Sequence, residues 1–123
     1  SAASDVYKSQ ILGVPTVREA DGLAMSSRNA YLSAEQRNQA VALPRAMRAA
    51  IEAMVRGQDV TAAMAELEAS LTAGGFSSVD YAEVRDPGSI ARVSNPSEQP
   101  ARLFVAARIG GTRLIDNMPV SKD

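Results

Sequence analysis

Two successive runs of apolar residues recur at helical spacing in the middle of the chain. Leu43, Met47, Ile51 and Met54 stand at offsets of 4, 4 and 3, and Val60, Met64, Leu67 and Leu71 at offsets of 4, 3 and 4. Each run lays one apolar stripe along one helix face. Ser33 followed by Gln36 is a capping-box pattern, and it predicts a helix from Ala34 to about Arg56, stopped by Gly57. Pro44 lies inside that stretch, where a missing backbone donor and a crowded preceding turn predict either a kink or two abutting helices. Asp59 or Thr61 opens the second helix, which runs to about Ala73 and closes at Gly74-Gly75. The two stripes are expected to pack on each other, with Phe76 anchoring the exit.

The period then changes. Val79 to Arg85 reads as a strand stopped by the turn Asp86-Pro87-Gly88. Residues 89–93 stay open between a turn of helix and irregular chain, and 94–100 read as a polar loop with two prolines. Arg102 to Ile109 and Thr112 to Asp116 are two further strands. Gly110-Gly111 joins them as a two-residue hairpin, because glycine accepts the positive φ angles of primed turns. Phe104-Val105-Ala106-Ala107 is apolar throughout, which suits a central strand covered on both faces. The expected fold is α+β, a two-layer domain with helices packed on one face of a small, three-stranded antiparallel sheet. Upstream of the helices, residues 11–17 read as a short extended segment held by Pro15, and Ala20-Asp21-Gly22 as a turn. Arg18, Glu19 and Asp21 fit a solvated loop, the reading preferred for Glu19.

Composition narrows the function classes. A chain of 123 residues makes one domain of ordinary size, with 1–12 read as an N-terminal tail, 13–118 as the domain and 119–123 as a C-terminal tail. Hydrophobic residues are 46% but aromatic ones only 4%, so a core of alanine, leucine, valine and methionine should favour close helix packing. A net charge of −1 argues against nucleic acid as a partner. There is no cysteine and no histidine, which excludes zinc sites of the usual kinds and any Ser-His-Asp nucleophile. The lack of cysteine fits a reducing, cytoplasmic setting. No apolar run reaches the roughly 18 residues that a bilayer span requires, so no membrane partner is expected, and the first ten residues are too polar for a signal peptide.

Candidate chemistry gathers in residues 13–29, GVPTVREADGLAMSSRN. Hydroxyls, backbone N–H groups and a guanidinium near a helix start suit a phosphate. Serine, arginine and asparagine before a helix are also an ordinary solvated surface, in which Arg28 would pair with Asp21 or Glu35. The segment offers little apolar surface of its own, so residues 1 to about 29 are expected to be less ordered than the rest.

The strings themselves say more. Val14-Pro15-Thr16-Val17-Arg18, Asp21-Gly22-Leu23, Met25-Ser26-Ser27-Arg28, Asn29, Tyr31-Leu32, Gln36-Arg37 and the later RLFVAARIGGTRLIDN at 102–117 together resemble the pantothenate synthetase family of the nucleotidyltransferase superfamily. The resemblance covers roughly residues 11–118 and is to the C-terminal part of those enzymes. It implies an ATP-dependent ligase that joins pantoate to β-alanine through a pantoyl adenylate, releasing pyrophosphate and AMP. Met25-Ser26-Ser27-Arg28 resembles the KMSKS-like element, although the superfamily carries lysines where Ser27 and Arg28 stand here. By the same resemblance Ser26, Ser27 and Arg28 donate to the ATP phosphates, Met25 rests on the adenine, and the Val17 main chain meets the adenine edge.

It further implies Mg²⁺ accompanying the nucleotide, and a partner N-terminal Rossmann-like domain that carries the histidine-containing HIGH-type motif and the pantoate and β-alanine pockets. No catalytic residue is assigned within this chain. The chain is then a lid over ATP, inactive alone, in a full-length enzyme expected to be a homodimer. Two rivals are the lid of another nucleotidyltransferase or synthetase, and a non-catalytic α+β interaction module.

Overall fold

The structure, a computed structural model, describes residues 17–86 and 101–120. The expected extended segment at 11–16, most of the Asp86-Pro87-Gly88 turn and the stretch 89–100 lie outside the described residues.

A five-residue 3-10 turn, Ser27–Tyr31, leads into helix α1, Ala34–Ala40. The capping box is present in both directions: Gln36 N donates to Ser33 Oγ at 3.1 Å, and Ser33 N to Gln36 Oε1 at 3.0 Å. Helix α2, Ala42–Val55, starts after a break at Val41. Of the two outcomes open for Pro44, abutting helices is the one found. Pro44 is the third residue of α2, where a backbone N–H has no intrahelical acceptor in any case, so its missing donor costs nothing there. Helix α3, Val60–Ala73, is capped by Asp59, whose carboxylate accepts from Ala62 N at 3.2 Å. Gly75, at φ 110°, turns the chain out of α3 towards the sheet.

Strands β1 (Ser78–Arg85), β2 (Arg102–Ile109) and β3 (Thr112–Pro119) form one antiparallel sheet in the order β1-β2-β3. The β2–β3 connection is the expected two-residue turn: Ile109 pairs with Thr112, and Gly110 has φ 59°. The Gln36 amide sits 2.5 Å from where a Cβ on Gly110 would lie, so a side chain there would have to displace the end of Gln36. Leu43, Met47, Ile51 and Met54 of α2 and Met64, Leu67 and Leu71 of α3 are all buried, as the stripes predict. They share one core with Leu103, Val105, Ala107 and Ile109 from alternate positions of β2, with Val84 of β1, and with Leu114 and Met118 of β3. Phe104 and Ala106, on the opposite face of β2, are also fully buried, as befits the central strand.

One boundary moves. Strand β3 runs past Asp116 to Pro119, and Val120 is buried with its N–H on Ala101 O at 3.0 Å. The strand therefore ends three residues beyond the expected Asp116. The polar Asp116-Asn117 pair reads as a strand end, but both residues are buried and bonded. Among the described residues no helix is long and apolar enough to cross a membrane.

Candidate functional site

Residues 17–25 form a small hairpin. Arg18 and Ala24 make an antiparallel bridge. Met25 N donates to Val17 O at 2.8 Å, Glu19 N to Leu23 O at 2.8 Å and Gly22 N to Glu19 O at 2.9 Å. Asp21 and Gly22 make the turn that the sequence predicts, with Gly22 at φ 95° beneath the Arg48 guanidinium. Leu23 points from the hairpin into the core and is 1% exposed.

Polar contacts close the rest of the hairpin. Arg37 of α1 forks the Asp21 carboxylate at 2.9 and 3.1 Å and reaches Glu19 at 3.3 Å. Its hydrogen bonding holds the Asp21 carboxyl below the usual carboxylate range, and Asp21 in turn raises the arginine. Asn29 donates to Glu19 Oε2 at 3.2 Å and Ala24 O at 3.0 Å. Glu19, expected to be solvated, is thus shared between Arg37 and Asn29.

The deepest anchor comes from the far end of the chain. Arg18 forks Asp116 of β3, with Nη1 on Oδ2 at 2.7 Å and Nη2 on Oδ1 at 2.8 Å. The same guanidinium donates to Gly22 O at 3.0 Å and to Asn117 O at 3.1 Å. The Asp116 side chain has no exposed surface, and its Oδ1 also accepts from Asn117 N at 2.7 Å. On the other face of β3, Asn117 Oδ1 accepts from Arg102 Nε. Burial pulls the Arg102 guanidinium below its usual range, with the nearby Arg18 charge acting in the same direction.

Beyond these anchors the loop turns outward. Val17 is 63% and Met25 58% exposed, and Tyr31, at the end of the 3-10 turn, is 78% exposed. Ser26 caps that turn, its hydroxyl accepting from Arg28 N at 3.2 Å. Ser27 and Arg28 are exposed. The Arg28 guanidinium has one long contact, Nη1 to the Arg113 carbonyl at 3.5 Å, and no ion pair among the described residues. Asp21, one expected partner for a surface pair, is taken by Arg37. Arg28, Tyr31, Gln36, Gly111, Thr112 and Arg113 line an open depression of about 680 Å³. Val17 and Met25 therefore stand at the open end of the hairpin, and Ser26, Ser27 and Arg28 on the chain that follows it, all exposed.

Three carboxylates near this loop are paired with arginines. Asp21 meets Arg37, Asp116 meets Arg18, and Asp80 of β1 meets Arg108 at 3.2 Å and Arg113 at 2.8 Å. No group of three possible metal ligands occurs among the described residues, so these acids do not suit Mg²⁺.

The sequence pattern of the family described as pantoate-beta-alanine ligase matches residues 3–119. The chain belongs to the pantoate-beta-alanine ligase family. It is 56% identical over 110 residues to pantothenate synthetase from Sphingopyxis alaskensis, covering 89% of this chain and 39% of that protein. It is also 56% identical over 111 residues to pantothenate synthetase from Novosphingobium aromaticivorans, covering 90% and 39%. The crystal structure of pantothenate synthetase from Thermus thermophilus superposes with a TM-score of 0.77 at 44% identity, over 88% of this chain and 39% of that one. The chain thus spans about 39% of the length of the relatives it matches. A pantoate-beta-alanine ligase from Francisella tularensis, described as complexed with beta-gamma ATP and beta-alanine, matches at TM-score 0.59 and 26% identity, over 89% of this chain and 33% of that one.

Reading the sequence missed the Arg18–Asp116 pair, with Arg18 fitted to a solvated loop without being settled there and Asp116 taken as a strand end. A signal was present. Thr112, Leu114, Asp116 and Met118 alternate along β3, and a carboxylate in an otherwise apolar phase calls for a cation brought from elsewhere. The contacts that residues 17–29 make were also missed. Leu23 supplies the buried apolar anchor, and Arg18 and Arg37 supply the polar ones.

Proposed function

We propose that this chain is the ATP-facing C-terminal domain of a pantoate–β-alanine ligase, with residues 13–118 closing over a nucleotide held on an N-terminal Rossmann-like domain. The observation that carries the reading is Arg28, an exposed guanidinium without an ion pair among the described residues, on a loop otherwise tied down by anchoring contacts. Family membership supports the substrates: ATP, pantoate and β-alanine.

In the first half-reaction a pantoate carboxylate oxygen attacks the α-phosphorus of ATP and pyrophosphate leaves. In the second, the β-alanine amine attacks the acyl carbon, forms the amide and expels AMP. Ser26, Ser27 and Arg28 donate to the phosphates. Met25 offers a polarizable surface to the adenine, and the Val17 main chain meets its edge. Donors fixed beforehand stabilise charge moving onto pyrophosphate without reorganising. Closure keeps water from the acyl adenylate. The cytoplasm and a full-length homodimer go with this assignment. The domain alone makes no pantothenate, since it carries no histidine and no pocket assigned to pantoate or β-alanine. Mg²⁺ would travel on the phosphates rather than on the arginine-paired acids of this chain.

Arg28→Ala in an enzyme of the relatives' full length tests the assignment by single-turnover adenylation. An interaction made more strongly in the transition state lowers kcat rather than only raising KM. Loss of one such donor costs on the order of 100-fold in rate, and Arg28→Lys recovers only part because it lacks the fork. Adenylation within a few-fold of the parent enzyme removes the phosphate-clamp role, leaving a non-catalytic surface loop.

A further inference from the structure

Asp116 occupies a position whose neighbours in register belong to the core. It faces Val105 across the sheet, in the same phase as Leu114 and Met118. A buried ion pair there is a poor way to gain stability, because desolvation consumes most of the attraction and an apolar pair of similar volume often does as well. What an ion pair supplies and an apolar pair cannot is a fixed direction and distance. The Arg18 guanidinium makes four hydrogen bonds of 2.7 to 3.1 Å: two to Asp116, one to the backbone of β3 at Asn117, and one to Gly22 O in its own hairpin. It is a bracket between the hairpin turn and the sheet edge.

Val17 and Met25 flank the Arg18–Ala24 bridge and are joined by their own hydrogen bond, so they move with the bracket. Ser26 follows directly. Arg28 touches the same strand at the Arg113 carbonyl, at 3.5 Å. The loop is thus gauged against β3 at two places three residues apart, a span of roughly 10 Å at strand rise.

We propose that Asp116, acting through Arg18, is a positioning residue for the nucleotide, fixing Val17, Met25 and the Ser26–Arg28 donors relative to one another. This rests on the ATP-facing reading of the loop. Neither residue touches the nucleotide. Their contribution is that adenine and phosphate contacts are met simultaneously, without ordering the loop on binding.

The test uses the full-length enzyme and the double substitution Arg18→Met with Asp116→Leu, which removes both charges together so that neither is left buried alone. The expected result is a KM for ATP raised at least about 10-fold, with pantoate dependence unchanged and melting within a few degrees of the parent. Amide exchange at Glu19 and Met25 quickens while α2 keeps its protection. A parent-like KM for ATP with those two amides released overturns the proposal. So does a loss of melting temperature with ATP dependence intact, which is the signature of a purely structural pair.

If the double variant does not fold, Arg18→Lys decides. It keeps the charge but cannot span four acceptors, so an intermediate KM for ATP with near-parent kcat supports positioning and a parent KM refutes it. Arg28→Ala is run beside them. If it is impaired while the Arg18 and Asp116 variants are not, only the positioning role falls. If it adenylates normally, the nucleotide reading falls and takes this proposal with it.

Discussion

Leu23→Ala probes whether the loop and the domain are one cooperative unit. Leu23 is 1% exposed, while Val17 and Met25 on the same hairpin are 63% and 58% exposed. Truncating a buried leucine to alanine costs about 2.7–5 kcal/mol, the lower figures belonging to sites that can collapse. A hairpin on the domain surface can settle inward, so a value near 3 kcal/mol is expected, about 100-fold in the unfolding equilibrium. For a domain of this size each kcal/mol shifts the midpoint by about 4 °C, giving a fall of roughly 12 °C. Val17→Ala and Met25→Ala, which bury little, should stay within about 0.5 kcal/mol of the parent. Urea titration followed by far-UV circular dichroism measures all three, with the slope checked for constancy. A loss below about 1 kcal/mol for Leu23→Ala at unchanged slope would refute the reasoning. The hairpin would then open without the domain, and Leu23 would not anchor it.

Ser33→Ala removes one arm of the capping box and should cost about 1 kcal/mol by the same titration, with Ser33→Gly milder by several tenths; an unchanged midpoint would mean that α1 starts without its cap. Asp80 has its carboxyl lowered chiefly by hydrogen bonding from Arg108, with Arg113 adding to it. Its folded state therefore binds a proton less readily than its unfolded state. The stabilisation is complete above the unfolded carboxylate value and is lost as pH falls through the folded one. Between pH 5 and 2 the parent should lose more stability than Asp80→Asn, by no more than about 1 kcal/mol for so exposed a group. Parallel acid profiles for the two proteins would count against the Asp80 pairings.

Elements whose information is local were legible in the sequence. The stripes of α2 and α3, the Ser33–Gln36 box, the Asp59 start and the Gly110-Gly111 turn all depend on residues within a few positions of each other, and the structure has each of them. Pro44 was ambiguous because its penalty depends on where the helix starts, which a break at Val41 decides. The end of β3 was misplaced because polarity stands for exposure only when no partner arrives, and Asp116 has a partner 98 residues away. For the candidate site, the sequence marked the Met25–Arg28 string, and the burial pattern shows that this string is exposed. The bracket beneath it is long-range, and no local rule reaches it.

That separation also bears on the order of assembly. Residues that meet across 98 positions must first close a long loop of chain, and the entropy of closure is recovered only when the intervening structure is in place. Helices α2 and α3 pack as sequence neighbours and the β2–β3 hairpin closes over two residues. The Arg18–Asp116 contact needs β3 already formed and buried. It belongs late on the folding path, on the native side of the barrier. Weakening it would appear in the unfolding arm of a chevron, with the folding arm nearly unmoved. The loop that carries Ser26 to Arg28 is then among the last parts of the domain to be set and among the first to be released.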